Sequence, residues 1–210
     1  MKVVTIATDF LPKIGGISNH VHYLNKYLSA DGVECHVLQI VERAGRNSLE
    51  TTEGDYFHHR LYISDDLSDL RKLKYRGRVR KLIKRLVEDP DIIHTHELLT
   101  TEYLVNWSRR RWVWTNHTSQ FAMMARGELG GAIKRRIVKH VLRKAAAIVC
   151  VSEEVRRLTE GFLGRSEGVS VVNPGVDTDR FTEVDLNSGL KYRSQFGLPG
   201  DRLMVLITAQ

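Results

Sequence analysis

The chain has few of the residues on which disulfide-linked, zinc-finger and membrane-spanning proteins depend. Its 210 residues include only two cysteines, Cys35 and Cys150, which lie far apart and without partners at metal-ligand spacing. No apolar run approaches the roughly 20 residues that cross a membrane as a helix. These absences exclude a disulfide framework and a cysteine-based zinc site, and they predict two buried free thiols in a reducing compartment.

The two most common phosphate-binding loops are also missing. The sequence contains neither G-x-G-x-x-G after its first apolar run nor G-x-x-x-x-G-K-[ST] at any position. A nicotinamide-dependent oxidoreductase is therefore disfavoured. Aromatic residues make up 8% of the chain and are not interleaved with its basic clusters, as a stacking platform for nucleic acid requires. We expect no nucleic-acid partner.

What the chain does have is a regular alternation of apolar strand-like and amphipathic helix-like segments. Hydrophobic residues make up 42% of the chain, enough for a sizeable core. The predicted strands are residues 3–7, 33–41, 56–63, 91–95, 112–116, 146–151 and 169–172. The predicted helices are residues 18–30, 67–87, 98–109 and 131–144, with another capped by Ser152. The alternation predicts an α/β fold, a Rossmann-like parallel sheet with helices on both faces. The polar segment 43–54 is predicted to be a loop.

The last part of the chain has a different character. Residues 1–175 carry the predicted sheet, and residues 176–201 are polar and read as an interdomain linker with one short helix at 190–196. Residues 202–210 then begin a fresh apolar strand at 203–208. We expect this strand to be the first of a second domain, so that the chain is truncated at that point.

Positive charge is concentrated in a few places. The net charge is +7, and nine cations lie between Arg71 and Arg85 on the face of a predicted helix opposite its apolar stripe. Such a run is ordinarily a solvated face. Because the basic face lies opposite an apolar stripe, the helix also suits binding to the surface of a membrane that contains anionic lipid.

Polar residues follow several predicted strands, where ligands of open parallel sheets bind. Asp9 and the pair Gly15-Gly16 follow the first strand, His96 and Glu97 follow the strand at 91–95, and His117 and Thr118 follow the strand at 112–116. Paired glycines bring backbone N–H groups against a phosphate, or serve only as a turn. A strand-end histidine serves in chemistry or only fixes a loop.

Five motifs follow one another along the chain: residues 9–17 with His20 and Val21, and residues 91–97, 115–118, 148–152 and 173–177. Taken in this order, they resemble the N-terminal domain of the GT-B glycosyltransferases, specifically glycosyltransferase family 4 with its phosphatidylinositol mannosyltransferase and phosphatidylinositol N-acetylglucosaminyltransferase group. The resemblance covers residues 1–210. One departure is the order Asn173-Pro174, where the family has Pro-Asn.

The resemblance implies a retaining enzyme that transfers a hexose from a nucleotide sugar to a hydroxyl acceptor, which includes lipid or lipid-linked acceptors. In the family the donor nucleotide is held mainly by a C-terminal domain with two glutamates eight residues apart, a segment that this sequence lacks. We therefore expect this chain alone to be inactive. The resemblance implies no metal and no cofactor. The two buried thiols predict a cytoplasmic protein. The basic run at residues 71–85, backed by its apolar stripe, suits peripheral contact with the inner membrane face.

The resemblance also assigns roles to single residues. His117 would face the donor sugar at the reaction centre, while Gly15 and Gly16 would lie against the donor pyrophosphate. The acceptor side would be formed by Asp9, Lys13, His96, Glu97 and Thr118. Simpler roles remain open, since Asp9 can cap its own turn and His96 and Glu97 can fix a loop. The alternative function is a non-catalytic basic binding module for nucleic acid or anionic lipid on a Rossmann-like scaffold.

Overall fold

The computed structural model describes residues 1–42, 48–63, 90–96, 111–117, 119–179 and 185–202, with the single positions 81, 85 and 204. The predicted helix at 98–109, most of the predicted helix at 67–87 and nearly all of the predicted strand at 203–208 lie outside the described residues. Two of the predicted site residues, Glu97 and Thr118, also lie outside them.

Eight strands form one sheet in the order β3-β4-β2-β1-β5-β6-β7-β8. Their bounds are β1 Lys2–Ala7, β2 Glu34–Glu42, β3 Ser48–Glu53, β4 Phe57–Ile63, β5 Ile92–Thr95, β6 Trp112–Asn116, β7 Ala147–Cys150 and β8 Val169–Val171. Every neighbouring pair is parallel except β3 and β4, which are antiparallel. The predicted Rossmann-like parallel sheet is confirmed, with one antiparallel strand added at its edge.

Helices cover both faces of the sheet. The helices whose bounds lie within the described residues are α1 Gly16–Ala30, α2 Ser119–Arg126, α3 Ala132–Leu142, α4 Glu153–Leu163 and α5 Leu186–Gln195. Side chains alternate between the two faces along each strand. Val4 and Ile6 of β1 belong to the larger core cluster, which includes Val155 of α4. Ala7 belongs to a smaller cluster with Val21 of α1. Within the described ranges, none of the helices has both the length and the apolar character to cross a membrane.

Two elements are absent from the sequence-based prediction. Strand β3 lies within residues 43–54, for which the polar composition predicts a loop. That prediction is wrong because a polar edge strand owes its structure to pairing with its neighbour rather than to an apolar face of its own. Helix α2 is short, and its inward side is anchored by Phe121 and Met124, which are 3% and 1% exposed.

Several local predictions are confirmed. The Oγ of Ser152 accepts a hydrogen bond from the Val155 backbone N–H at 3.3 Å, so this serine caps α4 as expected. Strand β6 has the predicted bounds. Cys35 and Cys150 are free thiols and both are buried.

The chain divides into two compact units, Met1–Pro174 and Gly175–Gln210. The second unit contains α5, which begins four residues before the predicted helix because Asp185 caps it. The Asp185 carboxylate accepts a hydrogen bond from the Ser188 backbone N–H at 3.1 Å. The assignment of residues 176–201 as a linker and of 202–210 as the start of a second domain stays a prediction.

The strand order places a topological switch point between β1 and β5. From β1 the chain passes through α1 to β2 on one side of the sheet, and β5, β6 and β7 follow on the other side. Connections that leave in opposite directions open a crevice at the carboxyl ends of these two strands, where ligands of open α/β sheets bind. The fold itself therefore indicates where to look for a site.

The fold predicts a loss of stability on mild acidification, because it buries neutral histidines. His58 and His59 of β4 are 8% and 3% exposed, and burial, the largest cause, lowers the pKa of each to about 4. The unfolded chain, with histidine pKa values of about 6.5, binds more protons than the folded chain between pH 6.5 and pH 4. From pH 7 to pH 5 each buried histidine should lower the free energy of unfolding by about 2 kcal/mol.

Urea unfolding followed by circular dichroism at pH 7, 6 and 5 measures this dependence. His58→Gln removes one titrating group while leaving an amide beside Gln39. The free energy of unfolding of this variant should therefore decrease less steeply as the pH is lowered. His140→Gln, at an exposed position of α3, is the matched control and should keep the slope of the parent chain. If the free energy of unfolding depended on pH equally in the parent and in His58→Gln, His58 would not be a source of the acid sensitivity.

Candidate active site

The loop that follows β1 is fixed by a polar network beneath it. The Gln39 amide donates to the Phe10 carbonyl at 3.3 Å. The Gln39 side-chain oxygen lies 3.0 Å from His58 Nε2 and accepts a bond from Arg60 Nε at 3.3 Å. The Phe10 ring is 1% exposed and meets the His58 ring edge-on at 4.9 Å. The turn after β1 is therefore held in place before α1 begins.

Helix α1 is fastened to β1 by buried polar contacts. The Thr5 hydroxyl donates to the Asn25 side-chain oxygen at 3.0 Å, and the Asn25 amide donates to the Val21 carbonyl at 2.7 Å. Thr5 and Asn25 are at most 1% exposed. Because these bonds are shielded from water, they fix the direction in which the start of α1 points.

The start of α1 carries no side-chain cap. Gly15 is the N-cap residue, with φ −171° and ψ 171°, and no acidic residue lies in the first turn. The first backbone N–H groups of a helix have no partner within it, and the helix dipole gives them a partial positive charge. An uncapped start of this kind can accept an anion such as a phosphate.

The fold does not itself require glycine at this start. A Cβ on Gly16 would meet nothing within 4 Å, and one on Gly15 would only reach Ser18 Oγ at 3.8 Å. Both residues leave open space in front of the helix. The positions predicted to lie at the donor pyrophosphate are thus accessible to a ligand.

Three histidines from three elements converge near the switch point, and we call them the histidine triad. His20 comes from the second turn of α1, His96 follows β5, and His117 follows β6. His96 Nδ1 lies 3.1 Å from His117 Nε2. The ring centroid of His20 lies 5.5 Å from that of His96 and 5.0 Å from that of His117. The parallel pairing of β5 with β6 brings the two strand ends together.

A fourth histidine supports the triad from within the sheet. His94 of β5 lies two residues before His96, so it faces the same side of the strand. Its Nε2 lies 2.8 Å from Thr115 Oγ1, and its ring centroid lies 4.2 Å from that of His96. The His94 ring therefore packs against the His96 ring and supports it.

Burial keeps all four imidazoles uncharged at neutral pH. Desolvation is the largest cause for each of them, and it lowers the pKa of His117 to about 4 and that of His94 to about 3. It also lowers the pKa of His96 well below its ordinary value and lowers the pKa of His20. Neighbouring histidines add to the shift of His94, His96 and His117 because they disfavour a second positive charge. A neutral ring offers one donor and one acceptor nitrogen.

The remaining predicted site residues behave differently from one another. Asp9 and Lys13 form an ion pair with each other, with Lys13 Nζ 2.7 Å from Asp9 Oδ1. Its energetic value is small because the Lys13 side chain is 76% exposed. The structure brings His96 and His117 together, as their predicted placement at adjoining strand ends requires. Glu97 and Thr118, predicted to line the acceptor side, lie outside the described residues.

Sequence reasoning assigned no role to two residues of this cluster. His20 lies four residues after Gly16, close enough on a helix to share its face, and this spacing was the available signal. His94 precedes His96 by two residues on one strand, which places both on the same face.

Chemically, the cluster offers neutral imidazole nitrogens beside a helix start that attracts anions. The three triad histidines can also hold a metal ion, since one ligand atom from each lies within 4.8 Å of the others.

The family model described as Glycosyltransferase Family 4 matches residues 14–180 of the chain. The chain is also similar to a curated protein, the D-inositol 3-phosphate glycosyltransferase of Thermomonospora curvata. The two are 27% identical over 221 residues, which cover 93% of this chain and 50% of that relative. The chain thus spans about half the length of the relative.

Solved structures show the same fold. The sucrose-phosphate synthase of Thermosynechococcus elongatus matches with a TM-score of 0.69 and 15% identity, over 95% of this chain and 53% of that one. HepE of Anabaena, solved in complex with UDP and glucose, matches with a TM-score of 0.59 and 16% identity, over 94% of this chain and 50% of that one. Each match again covers about half of the larger protein.

Proposed function

The chain belongs to glycosyltransferase family 4, and from this we propose that it is the acceptor-side half of a retaining glycosyltransferase. The full-length enzyme would transfer a hexose from a nucleotide sugar to a hydroxyl group. The observation that carries the proposal is the meeting of the uncapped start of α1 with His96 and His117 at one switch point. An anion site next to neutral acid–base groups suits a phosphate leaving group and a hydroxyl acceptor.

The names of the relatives support both substrates. The curated relative is named a D-inositol 3-phosphate glycosyltransferase, which favours a polyol hydroxyl as acceptor. The Anabaena protein was solved with UDP and glucose, which favours a nucleotide sugar as donor. Because the chain spans about half of these proteins, we propose that a further domain supplies most of the contacts to the nucleotide.

We propose that the start of α1 stabilises the leaving diphosphate. Negative charge grows on the leaving oxygen as the glycosidic bond breaks, and the partial positive charge of the uncapped helix start would offset it. Gly15 and Gly16 let the phosphates approach the backbone closely. In this proposal the protein meets the charge of the leaving group with backbone amides, and no metal or other cofactor is needed.

We propose that His117 lies against the donor sugar. The sugar becomes positively charged in an oxocarbenium-like transition state, and a protonated imidazole there would repel it. The lowered pKa of His117 keeps its ring neutral at pH 7, so that its lone pair can face the developing charge. His96 holds the His117 ring in place through the 3.1 Å nitrogen–nitrogen contact. Asp9, Lys13, His96, Glu97 and Thr118 would lie on the acceptor side.

Replacing His117 tests its place in the reaction. In the full-length enzyme, His117→Ala should lower kcat about a hundredfold or more, as the loss of one electrostatic group at a reaction centre does. The measurement is steady-state release of the nucleoside diphosphate, with circular dichroism to establish folding. His140→Ala, an exposed histidine on α3, is the matched control and should keep parental kcat. Near-normal turnover in folded His117→Ala would remove this residue from the mechanism.

Gly15 and Gly131 offer a matched pair of helix-start substitutions. Each is an N-cap residue in extended conformation without a side-chain cap, Gly15 before α1 and Gly131 before α3. Alanine fits sterically at both, because a Cβ on Gly131 meets nothing within 4 Å and one on Gly15 meets only Ser18 Oγ at 3.8 Å. Gly15→Ala should raise the donor KM of the full-length enzyme about tenfold, because its methyl group blocks close approach of the phosphates.

Gly131→Ala should leave the donor KM unchanged, and both variants should keep the Tm of the parent within a few degrees. Equal donor KM values for the two variants would show that the start of α1 does not bind the phosphates.

We also propose that residues 71–85 contact anionic membranes, which would bring the enzyme to a lipid-linked acceptor. Most of this segment lies outside the described residues, but Lys81 and Arg85 are helical and exposed. They lie four residues apart, on one face of a helix. In co-sedimentation with vesicles containing anionic lipid at low salt, the double variant Lys81→Glu/Arg85→Glu should bind several-fold more weakly.

The matched control reverses two exposed cations on α3, Lys134→Glu/Arg136→Glu, for the same change in net charge. This control should bind vesicles much as the parent does. Parental binding by Lys81→Glu/Arg85→Glu, or a loss confined to the α3 variant, would refute a membrane role for residues 71–85.

A further inference from the structure

We propose that the histidine triad, His20, His96 and His117, is a binding site for one transition-metal ion of the zinc class, with one coordination position left open. Three imidazoles and a fourth open position are a recurrent arrangement for zinc in proteins. Imidazole nitrogens also suit cobalt, nickel and copper, so the site would take these ions too.

The triad has the symmetry that such an ion requires. The three ring centroids form a nearly equilateral triangle with sides of 5.0, 5.4 and 5.5 Å. One ligand atom from each residue lies within 4.8 Å of the other two. An ion bound to all three would therefore be shared among α1 and the ends of β5 and β6.

Little movement separates this arrangement from a closed metal site. With zinc–nitrogen bonds of about 2.0–2.1 Å, tetrahedral geometry places ligand nitrogens about 3.3 Å apart. His96 Nδ1 and His117 Nε2 are already 3.1 Å apart. His20 is half-buried on the second turn of α1, and its ligand atom lies within 4.8 Å of those of the other two histidines.

The rings are in the chemical state that binds a metal. A histidine ligand must be neutral, and protons compete with the ion for the same lone pair. His96 is buried and His20 and His117 are half-buried, and removal from water disfavours a charged ring and favours the neutral form that binds an ion. Four histidines with no formal charge between them also raise no electrostatic barrier to a divalent cation.

His96 has hydrogen-bonding capacity left over. Its ring is 2% exposed, and its Nε2 is buried without a hydrogen-bond partner among the residues that the structure describes. Its other nitrogen is shared with His117. Leaving a polar atom buried and unsatisfied costs about 1–3 kcal/mol. An ion bound to Nδ1 leaves Nε2 to carry the ring proton, so this nitrogen needs no rearrangement for the ion to bind.

A second pair of buried histidines shows the contrast. His36 Nδ1 lies 3.0 Å from His59 Nε2, as close as the pair in the triad. The remaining nitrogens are occupied, His36 Nε2 by Glu34 at 3.1 Å and His59 Nδ1 by Thr51 at 3.0 Å. That network is closed by the protein itself. In the triad, by contrast, His96 Nε2 has no partner among the residues that the structure describes, and the triad lies at the carboxyl edge of the sheet, where ligands enter.

The consequence for transfer rests on the proposed function. A metal ion on the triad would bring a positive charge to His117, whose ring we place against the donor sugar, and this charge would repel the oxocarbenium-like transition state. Metal occupancy and sugar transfer would then exclude each other, and zinc would inhibit the full-length enzyme rather than support it.

Cobalt is the probe that tests the site, because four-coordinate Co²⁺ absorbs visible light far more strongly than the hydrated ion. Titration of the purified chain at pH 7.5 should give one equivalent of bound Co²⁺ with this absorption, and Zn²⁺ should abolish it. His20→Ala and His117→Ala should each weaken cobalt binding more than about a hundredfold, because loss of a group behind a ligand already costs 10–100-fold.

His140→Ala keeps the triad intact and should bind cobalt as the parent does, while circular dichroism establishes that all three variants fold. The proposal is overturned if the chain gives no four-coordinate absorption, or if that absorption survives in folded His20→Ala and His117→Ala. Cobalt binding is read from the spectrum and not from sugar transfer. Failure to bind cobalt would therefore leave the transferase proposal standing. If cobalt binds but the full-length protein transfers no sugar, the metal site stands and the transferase proposal fails.

Discussion

The parallel pairing of β1 with β5 and of β5 with β6 is the constraint on which the site depends. Parallel strands end at the same edge of a sheet, so the loop after β1, His96 and His117 are brought to one place by register alone. The chain leaves β1 toward β2 and returns through β5 on the other side. Helix α1 follows β1 at this edge, and its direction is fixed by the buried Thr5–Asn25 bond.

Burial of neutral histidines is the second unifying property. Desolvation holds the triad and His94 uncharged at pH 7, which removes any repulsion toward a positively charged sugar or a metal ion. The same property costs stability in acid, because the unfolded chain gains protons that the folded chain excludes. The uncapped start of α1 complements these rings, since it attracts negative charge while they attract positive charge or donate to hydroxyl groups.

The sequence predicts the interior of this fold better than its edges. Strand β6 and the Ser152 cap follow from local patterns, a buried apolar run and a serine before two glutamates, and each appears where expected. Strand β3 does not follow from pattern, because a polar edge strand is defined by its partner β4. The residues of the triad are visible in the sequence, but their convergence is not. His20 is 76 positions from His96, and only the strand order and the anchoring of α1 bring them together.

In the proposed transfer site, the donor diphosphate lies at the start of α1 and the donor sugar lies beside the histidine triad. A crystal structure of the full-length protein with an unreactive nucleotide-sugar analogue would show both positions. We expect diphosphate oxygens within about 2.7–3.2 Å of the first backbone nitrogens of α1, and the anomeric carbon beside His117. A donor bound with its diphosphate away from α1 and its sugar away from His117 would show that the transfer site lies elsewhere.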